Sequence, residues 1–154
     1  MGQRGARADR KGRAEVSAPS RLLVNWKSDR IFEAGREGRP SITLDGDGFQ
    51  APTPPEALLA ALASCVSVDV VDILAKRRTP VEQYSVEILG ERVDSIPRRF
   101  KHITMNISIT GQGIERAPAE HAIDLAVNKY CSVRDSLDPS IPIVWNLSIN
   151  SRHE

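Results

Sequence analysis

The chain has 154 residues, 40% of them hydrophobic, and its 21 basic and 20 acidic side chains leave a net charge of +1. This length and apolar content are sufficient for one globular domain with a buried core. The even charge balance argues against a protein whose whole surface is adapted to nucleic acid or to membranes.

The first fifteen residues depart from this balance. They contain five basic side chains against two acidic ones and show no apolar periodicity; the basic residues are Arg4, Arg7, Arg10, Lys11 and Arg13. This composition predicts a disordered basic arm over residues 1–19, followed by one folded domain over residues 20–154. We interpret the arm as a solvated tail or a mis-assigned start, with nucleic-acid binding as the weaker alternative. No apolar core of a secretion signal follows the arginines, so we expect a cytoplasmic protein.

Three short strands are predicted after the arm. They cover residues 21–27, 30–34 and 39–44, and Ser28 and Asp29 form a turn between the first two. The run Asp45-Gly46-Asp47-Gly48 then ends the sheet. Its acidic spacing resembles part of a calcium loop, but Phe49 stands at the third ligand position and no glutamate closes the loop, so we interpret it as a turn.

A long helix begins after this turn with a clear start signal. Thr53 is a favourable N-cap, Pro54 suits the first helical position, and Glu56 completes a capping box three residues after the cap. Apolar residues cover nearly every face of the helix from Leu58 to Leu74, which predicts that a partner subunit shares it. The uncharged run over residues 57–68 is too short to span a membrane.

The remaining elements alternate between sheet and helix. Two strands with period-two patterning lie around residues 84–88 and 103–109, and a second helix opens near Pro118. A short helical turn over residues 132–137 and a strand over residues 141–149 follow. The order predicts an α+β domain in which helices cover one face of antiparallel β-sheets.

Each of the two cysteines falls on a segment that should be buried. Cys65 lies in the middle of the first helix, and Cys131 ends the second helical pattern. Such a pair is a structural disulfide, two inert core thiols or a thiol–disulfide redox site. The cytoplasm keeps thiols reduced, which disfavours the structural disulfide, and buried free cysteine is common enough that inert thiols remain an alternative.

The segments around both cysteines resemble one protein family. The run PPEALLAALASC over residues 54–65 resembles the helix P-x-E-L-L-L-A-A-L-A-x-C of the OsmC/Ohr family, the osmotically inducible and organic-hydroperoxide-resistance proteins. The run KYCSV over residues 129–133 resembles the second cysteine motif of that family. The resemblance covers about residues 21–150. Glu56 stands one residue later than the glutamate of the organic-hydroperoxide branch, where this chain has Pro55, and so matches the less characterised OsmC-like branch.

This resemblance implies an intertwined homodimer that acts as a thiol peroxidase on organic hydroperoxides. Cys65 would attack the peroxide as a thiolate and become a sulfenic acid, and Cys131 would resolve it to a disulfide. A dithiol reductant, lipoyl or thioredoxin-like, would then reopen the bond. No metal or organic cofactor is implied.

The attacking thiol needs a lowered pKa, because an unperturbed thiol is mostly protonated at neutral pH. Cys65 lies three turns into its helix, where the helix dipole has faded, so a cationic neighbour is expected. The resemblance implies an arginine of the first hairpin held by a glutamate at the helix start. Arg30 is the candidate, with Arg36 and Arg134 as rivals, and Glu56 is either its partner or only the closure of the capping box.

A second hypothesis keeps the fold without the catalysis. The altered position of Glu56 is consistent with a non-catalytic OsmC-like dimer that binds a small hydrophobic ligand at its apolar interface. A thiol of ordinary pKa at Cys65 and a slow reaction with peroxide would favour this hypothesis.

Overall fold

A computed structural model describes residues 18–150. The predicted arm therefore lies almost entirely outside the described residues. The elements follow the predicted order, with a π-helical segment inserted after the second helix: β1 Leu23–Ser28, β2 Ile31–Gly35, β3 Ser41–Asp45, α1 Pro54–Lys76, β4 Gln83–Arg92, β5 Phe100–Thr110, α2 Arg116–Leu125, the π segment Ala126–Tyr130, α3 Ser132–Asp135 and β6 Ile143–Asn150.

The chain divides into two compact units, with the boundary between Thr43 and Leu44. One sheet has the order β1-β2-β3; β1 and β2 lie in the first unit and run antiparallel, and β3 spans the boundary. The turn that joins them is the one predicted at Ser28 and Asp29. Asp29 adopts a positive φ of 41°, a conformation that aspartate tolerates better than most residues. The indole Nε1–H of Trp26 donates a hydrogen bond to the backbone carbonyl of Asp29 at 3.0 Å and closes the turn.

The second unit contains a sheet in the order β4-β5-β6. The sequence predicted antiparallel sheets, and this prediction is wrong for one of the two strand pairs. Strands β4 and β5 form the predicted antiparallel hairpin, but β6 pairs with β5 in parallel, Ile103 opposite Ile143 through Thr110 opposite Asn150. The reason lies in the connection. A chain that leaves one strand, crosses over through helices and returns to the starting end of the sheet adds its next strand in parallel.

The core of the second unit lies between this sheet and the helices. Alternate residues of β5 are buried as their period-two pattern predicts: Ile103, Met105, Ile107 and Ile109. The sheet face formed by these residues contributes to the same core as one stripe of α1, namely Leu59, Leu62, Val66, Val70 and Leu74. The stripe recurs every three to four residues, so a single face of α1 is fixed in the core.

The start of α1 has the predicted capping box. The backbone N–H and the hydroxyl of Thr53 both donate to the Glu56 carboxylate, at 2.7 and 2.9 Å. The backbone N–H of Glu56 donates back to the Thr53 hydroxyl at 3.4 Å. These bonds satisfy donors that the first turn of a helix otherwise leaves free and hold Pro54 at its first position.

The apolar length of α1 exceeds the sequence estimate. The helix has 23 residues, and by length and composition alone it is able to cross a membrane, so the interpretation that it is too short was wrong. The core helix of a soluble protein meets the same criteria. Here 33% of the most apolar stretch is buried within the fold, on the stripe that packs in the core of the second unit.

A second face of α1 lines an open groove against β4, and no element of residues 44–150 covers it. The groove has a volume of about 710 Å³ and is lined mainly by small and aliphatic residues, among them Ala60, Ala63, Val68, Val71 and Val86. Val68 and Val71 are exposed. This face accounts for the sequence observation that α1 is apolar on nearly all sides.

The Asp45–Gly48 run forms a turn, as predicted. The buried carboxylate of Asp45 accepts hydrogen bonds from the backbone N–H groups of Gln50, Asp47 and Phe49, at 2.9, 2.8 and 3.0 Å. These bonds, chiefly that from Gln50, hold the pKa of Asp45 below its ordinary value. Asp45 thus organises the turn that leads into α1, as a carboxylate acceptor rather than as a metal ligand.

Replacing Leu62 by alanine tests the packing of α1. Leu62 is 0% exposed, so Leu62→Ala should lower the free energy of unfolding by about 2–5 kcal/mol through lost burial and the cavity left behind. Leu89→Ala is the control, because Leu89 is 50% exposed on β4, and it should change the value by only about 0.5 kcal/mol. Urea unfolding at one fixed protein concentration measures both. Equal losses in the two variants would contradict the assigned core.

Candidate redox site

The buried stripe of α1 determines where Cys65 points. Its neighbours Leu62 and Val66 are fully buried, and Cys65 itself is half-buried at the border of the same core. The capping box fixes where the helix begins, and the stripe fixes its rotation. Cys65 is therefore presented towards the segment that follows α2.

Cys131 is placed by the π segment. In this segment a backbone N–H bonds five residues back instead of four, and the N–H of Cys131 donates to the Ala126 carbonyl at 2.9 Å. Cys131 then leaves the helix with φ −71° and ψ 102° and becomes the N-cap of α3. Its Sγ accepts a hydrogen bond from the backbone N–H of Arg134 at 3.3 Å, and the residue is only 3% exposed.

The fold brings the two thiols together. Both cysteines are free, and Cys65 packs against the core cluster that contains Cys131, where each thiol influences the ionisation of the other. The first turn of α3 lies beside Cys65, where the backbone N–H groups of Ser132 and Val133 and the Ser132 hydroxyl act on its sulfur. Two thiols in such contact are placed to exchange a pair of electrons through a disulfide.

The two sulfurs differ in acidity. Burial opposes ionisation of Cys65, but hydrogen bonds from the Val133 N–H, the Cys131 thiol and Ser132 outweigh it, so the pKa of Cys65 is lowered. Burial is also the largest influence on the pKa of Cys131 and raises it. The hydrogen bond from the Arg134 N–H lowers this pKa only in part, and the neighbouring Cys65 raises it further. The pKa of Cys131 is raised to about 11. Cys65 is therefore the sulfur that ionises first and the better nucleophile at neutral pH.

The second unit contains a source of acidity that the sequence argument, which asked for a cation beside Cys65, did not include. The largest favourable contributions come from neutral donors at the start of α3. The argument considered only the dipole of the helix that carries Cys65. It missed a second helix start, placed against Cys65 by tertiary packing, although Ser132 and Val133 stand in the KYCSV motif that the sequence analysis singled out.

The residues predicted to activate Cys65 are placed as follows. Glu56 closes the capping box, and its hydrogen bonds to Thr53 lower its pKa. Arg30 lies in the turn between β1 and β2, and Arg36 follows β2; both belong to the first unit. The guanidinium of Arg134 donates to the carbonyls of Asp138 and Ile141 at 3.5 and 3.3 Å, which ties α3 to the segment before β6. The role of Arg30 as an activating residue stays a prediction.

Over residues 18–150, no group of three or more histidine, cysteine, aspartate or glutamate side chains is arranged to hold a metal ion. The chemistry argued for this site depends on its sulfur atoms and on the hydrogen-bond donors around them.

The fold and the paired thiols define a class of α+β proteins whose long helix presents one cysteine to a second cysteine on a helical crossover. The family model described as OsmC-like protein matches residues 45–146. Protein YhfA of Escherichia coli is 34% identical over 127 residues, 82% of this chain and 95% of YhfA. The chain belongs to the OsmC-like family, and the placement near its less characterised branch is confirmed.

Two solved structures show the same fold. A hypothetical protein from Aquifex aeolicus is 27% identical with a TM-score of 0.72, over 84% of this chain and 96% of that one. The organic hydroperoxide resistance protein OhrB of Bacillus subtilis is 12% identical with a TM-score of 0.56, over 83% of this chain and 96% of that one. At that identity the second likeness concerns the fold alone.

The difference in acidity between the thiols is measurable by alkylation. We expect Cys65 to react with iodoacetamide at a lower pH than it does in the urea-unfolded protein, because its folded pKa is lowered. Cys131 should react at a higher pH, because its pKa is raised to about 11. Mass spectrometry measures the alkylation rate of each cysteine as a function of pH. The pH at which each rate is half of its maximum gives the two midpoints. A lower midpoint for Cys131 than for Cys65 would contradict the assignment.

The hydroxyl of Ser132 is the removable part of the donor set beside Cys65. Ser132→Ala should raise the pKa of Cys65 and slow its alkylation at neutral pH, since one bond to the thiolate is lost and the backbone donors remain. Ser136→Ala is the matched control, because Ser136 caps the end of α3 and its hydroxyl donates to the Ser132 carbonyl at 2.7 Å. The same slowing in both variants would show a general loosening of α3.

Proposed function

We propose that the protein is a thiol-dependent peroxidase that reduces organic hydroperoxides in the cytoplasm as part of oxidative-stress defence. The observation that carries the proposal is the close approach of a thiol of lowered pKa, Cys65, to a second thiol, Cys131. The OsmC/Ohr family, to which the chain belongs, includes cysteine-based peroxidases.

The first step is attack by the Cys65 thiolate on the terminal oxygen of the hydroperoxide. The S–O bond forms as the O–O bond breaks, and the alkoxide takes up a proton and leaves as an alcohol. Cys65 becomes a sulfenic acid, oxidised by two electrons. The donors of Ser132 and Val133 favour the thiolate that begins this step.

The second step uses Cys131. Its sulfur attacks the sulfenic sulfur of Cys65, the disulfide forms, and the hydroxyl leaves as water. The high pKa of Cys131 keeps its thiol protonated before the sulfenic acid forms, so the peroxide reacts with Cys65 first. A dithiol reductant, lipoyl or thioredoxin-like, then returns two electrons and becomes a disulfide itself.

A homodimer fits this proposal. The exposed groove face of α1 carries Val68 and Val71, and a second copy of the chain would remove such residues from water.

The same groove supports a second candidate function. Its volume of about 710 Å³ and its aliphatic lining are suited to a small hydrophobic ligand, as expected for a non-catalytic OsmC-like dimer. Tyr84 also lines the groove, and the side chains of Ser64, Ser67 and Ser85 add polar groups to its wall.

Stopped-flow reaction of the reduced protein with cumene hydroperoxide and with hydrogen peroxide distinguishes the two functions. The peroxidase should consume cumene hydroperoxide faster, lose both thiols and gain a Cys65–Cys131 disulfide. Cys65→Ser should remove peroxide consumption, and Cys131→Ser should allow one oxidation equivalent and then stop.

The conservative variant Cys65→Ser keeps the size of the side chain, so loss of activity without loss of stability assigns the chemistry to sulfur. Sustained turnover by Cys65→Ser would refute the peroxidase. Slow reaction of the wild-type protein with both thiols intact would favour the ligand-binding function, which extraction of bound apolar molecules from the purified protein would then test.

A further inference from the structure

A cleft beside Cys131 has no role in the two oxidation steps. Its volume is about 600 Å³, and it lies where the π segment passes into α3. Val127 and Leu137 contribute apolar surface, Lys129 and Tyr130 stand exposed at its edge, and Cys131 is part of its wall. Cys65 is not among the residues that line this cleft.

We propose that this cleft is the entry site of the thiol reductant, and that the reductant attacks the Cys131 sulfur of the disulfide and releases Cys65 as the thiolate. The inference rests on the proposed function, because it concerns the disulfide that the peroxidase cycle forms.

The step is balanced in atoms and electrons. The thiolate of the reductant forms a new S–S bond to Cys131, the Cys65–Cys131 bond breaks, and its electron pair stays on the Cys65 sulfur. The second thiol of the dithiol then attacks its own sulfur in the mixed disulfide and expels Cys131, which takes up a proton. The reductant leaves as a cyclic or intramolecular disulfide, and both cysteines are reduced.

The surroundings of the two sulfurs favour this direction. In disulfide exchange the sulfur that is more stable as a thiolate is the better leaving group. The start of α3 provides that stability to Cys65 through Val133 and Ser132, whereas burial keeps Cys131 protonated. Because the pKa of Cys65 is lowered and that of Cys131 is raised, Cys65 is the better leaving group, and attack at Cys131 is preferred.

Exposure by itself would favour the opposite choice, because Cys65 is half-buried and Cys131 is 3% exposed. The cleft removes this difficulty by giving a route to Cys131 that does not pass over α1. The two explanations therefore predict adducts on different cysteines, which makes the proposal testable.

The charges of the cleft indicate what kind of reductant it takes. Lys129 stands at the edge with its ammonium 5.4 Å from the centre of the Tyr130 ring, and Arg134 lies in the wall opposite a single acidic residue, Asp135. This excess of positive charge favours an attacking thiolate and a reductant with negative charge next to its thiol.

The attack site can be read directly. The protein is oxidised with diamide to the Cys65–Cys131 disulfide, mixed with glutathione, quenched with acid after short times and alkylated. Peptide mass spectrometry then locates the glutathione. We expect the early adduct on Cys131, with the alkylating label on Cys65, in clear excess over the reverse arrangement.

The outcomes separate this proposal from the peroxidase itself, because diamide and not peroxide forms the disulfide. An early adduct mainly on Cys65 would overturn the proposal and leave the peroxidase intact. An adduct on Cys131 in a protein that does not react with peroxides would support the proposal and refute the peroxidase. Failure of diamide to form the disulfide would overturn both.

The charge preference has its own test. Mercaptoethanesulfonate, an anionic thiol, should reduce the disulfide faster than cysteamine, a cationic one, when the rates are corrected for thiolate concentration. Lys129→Gln should lower the ratio of the two corrected rates several-fold, and added salt should also lower it. Lys101→Gln is the control, because Lys101 is an exposed lysine of β5 that does not line the cleft. An equal fall of this rate ratio in both variants would reject the cleft as the entry site.

Discussion

The contact between Cys65 in α1 and the first turn of α3 is the interaction on which the redox site depends. A half-buried thiol would by burial alone be a poor nucleophile, because desolvation disfavours its charge. The neutral donors of Ser132 and Val133 reverse that effect. Acidity at Cys65 is thus a property of tertiary packing and not of either cysteine motif alone.

The rest of the second unit holds this contact in register. The buried stripe of α1 fixes the rotation of the helix in the core that β5 also lines, and the π segment sets the direction in which Cys131 leaves α2. The Arg134 guanidinium ties α3 to the carbonyls of Asp138 and Ile141, just before β6. A shift of any of these elements by one residue would turn a sulfur away from its partner.

Local signals in the sequence predicted most of the fold. The capping box at Thr53 and Glu56 located the start of α1, and period-two patterning located β4, β5 and β6, because both signals depend on neighbouring residues. The parallel direction of β6 was missed because antiparallel hairpins were assumed, although a helical crossover precedes the strand. Motifs identified both cysteines, but the donors beside Cys65 were not predictable, since they arise from a π turn and from packing between distant segments.

The parallel pairing of β5 with β6 has a consequence for the order in which the protein forms. Strand β6 joins residues 143–150 to residues 103–110, and the crossover between them carries Cys131. A growing chain is made from its N-terminus and therefore exposes Cys65 well before the strand that completes the sheet exists. Until then the thiol has no α3 beside it and keeps an ordinary, weakly reactive character. The lowered pKa of Cys65 therefore arises only after the chain has folded around it.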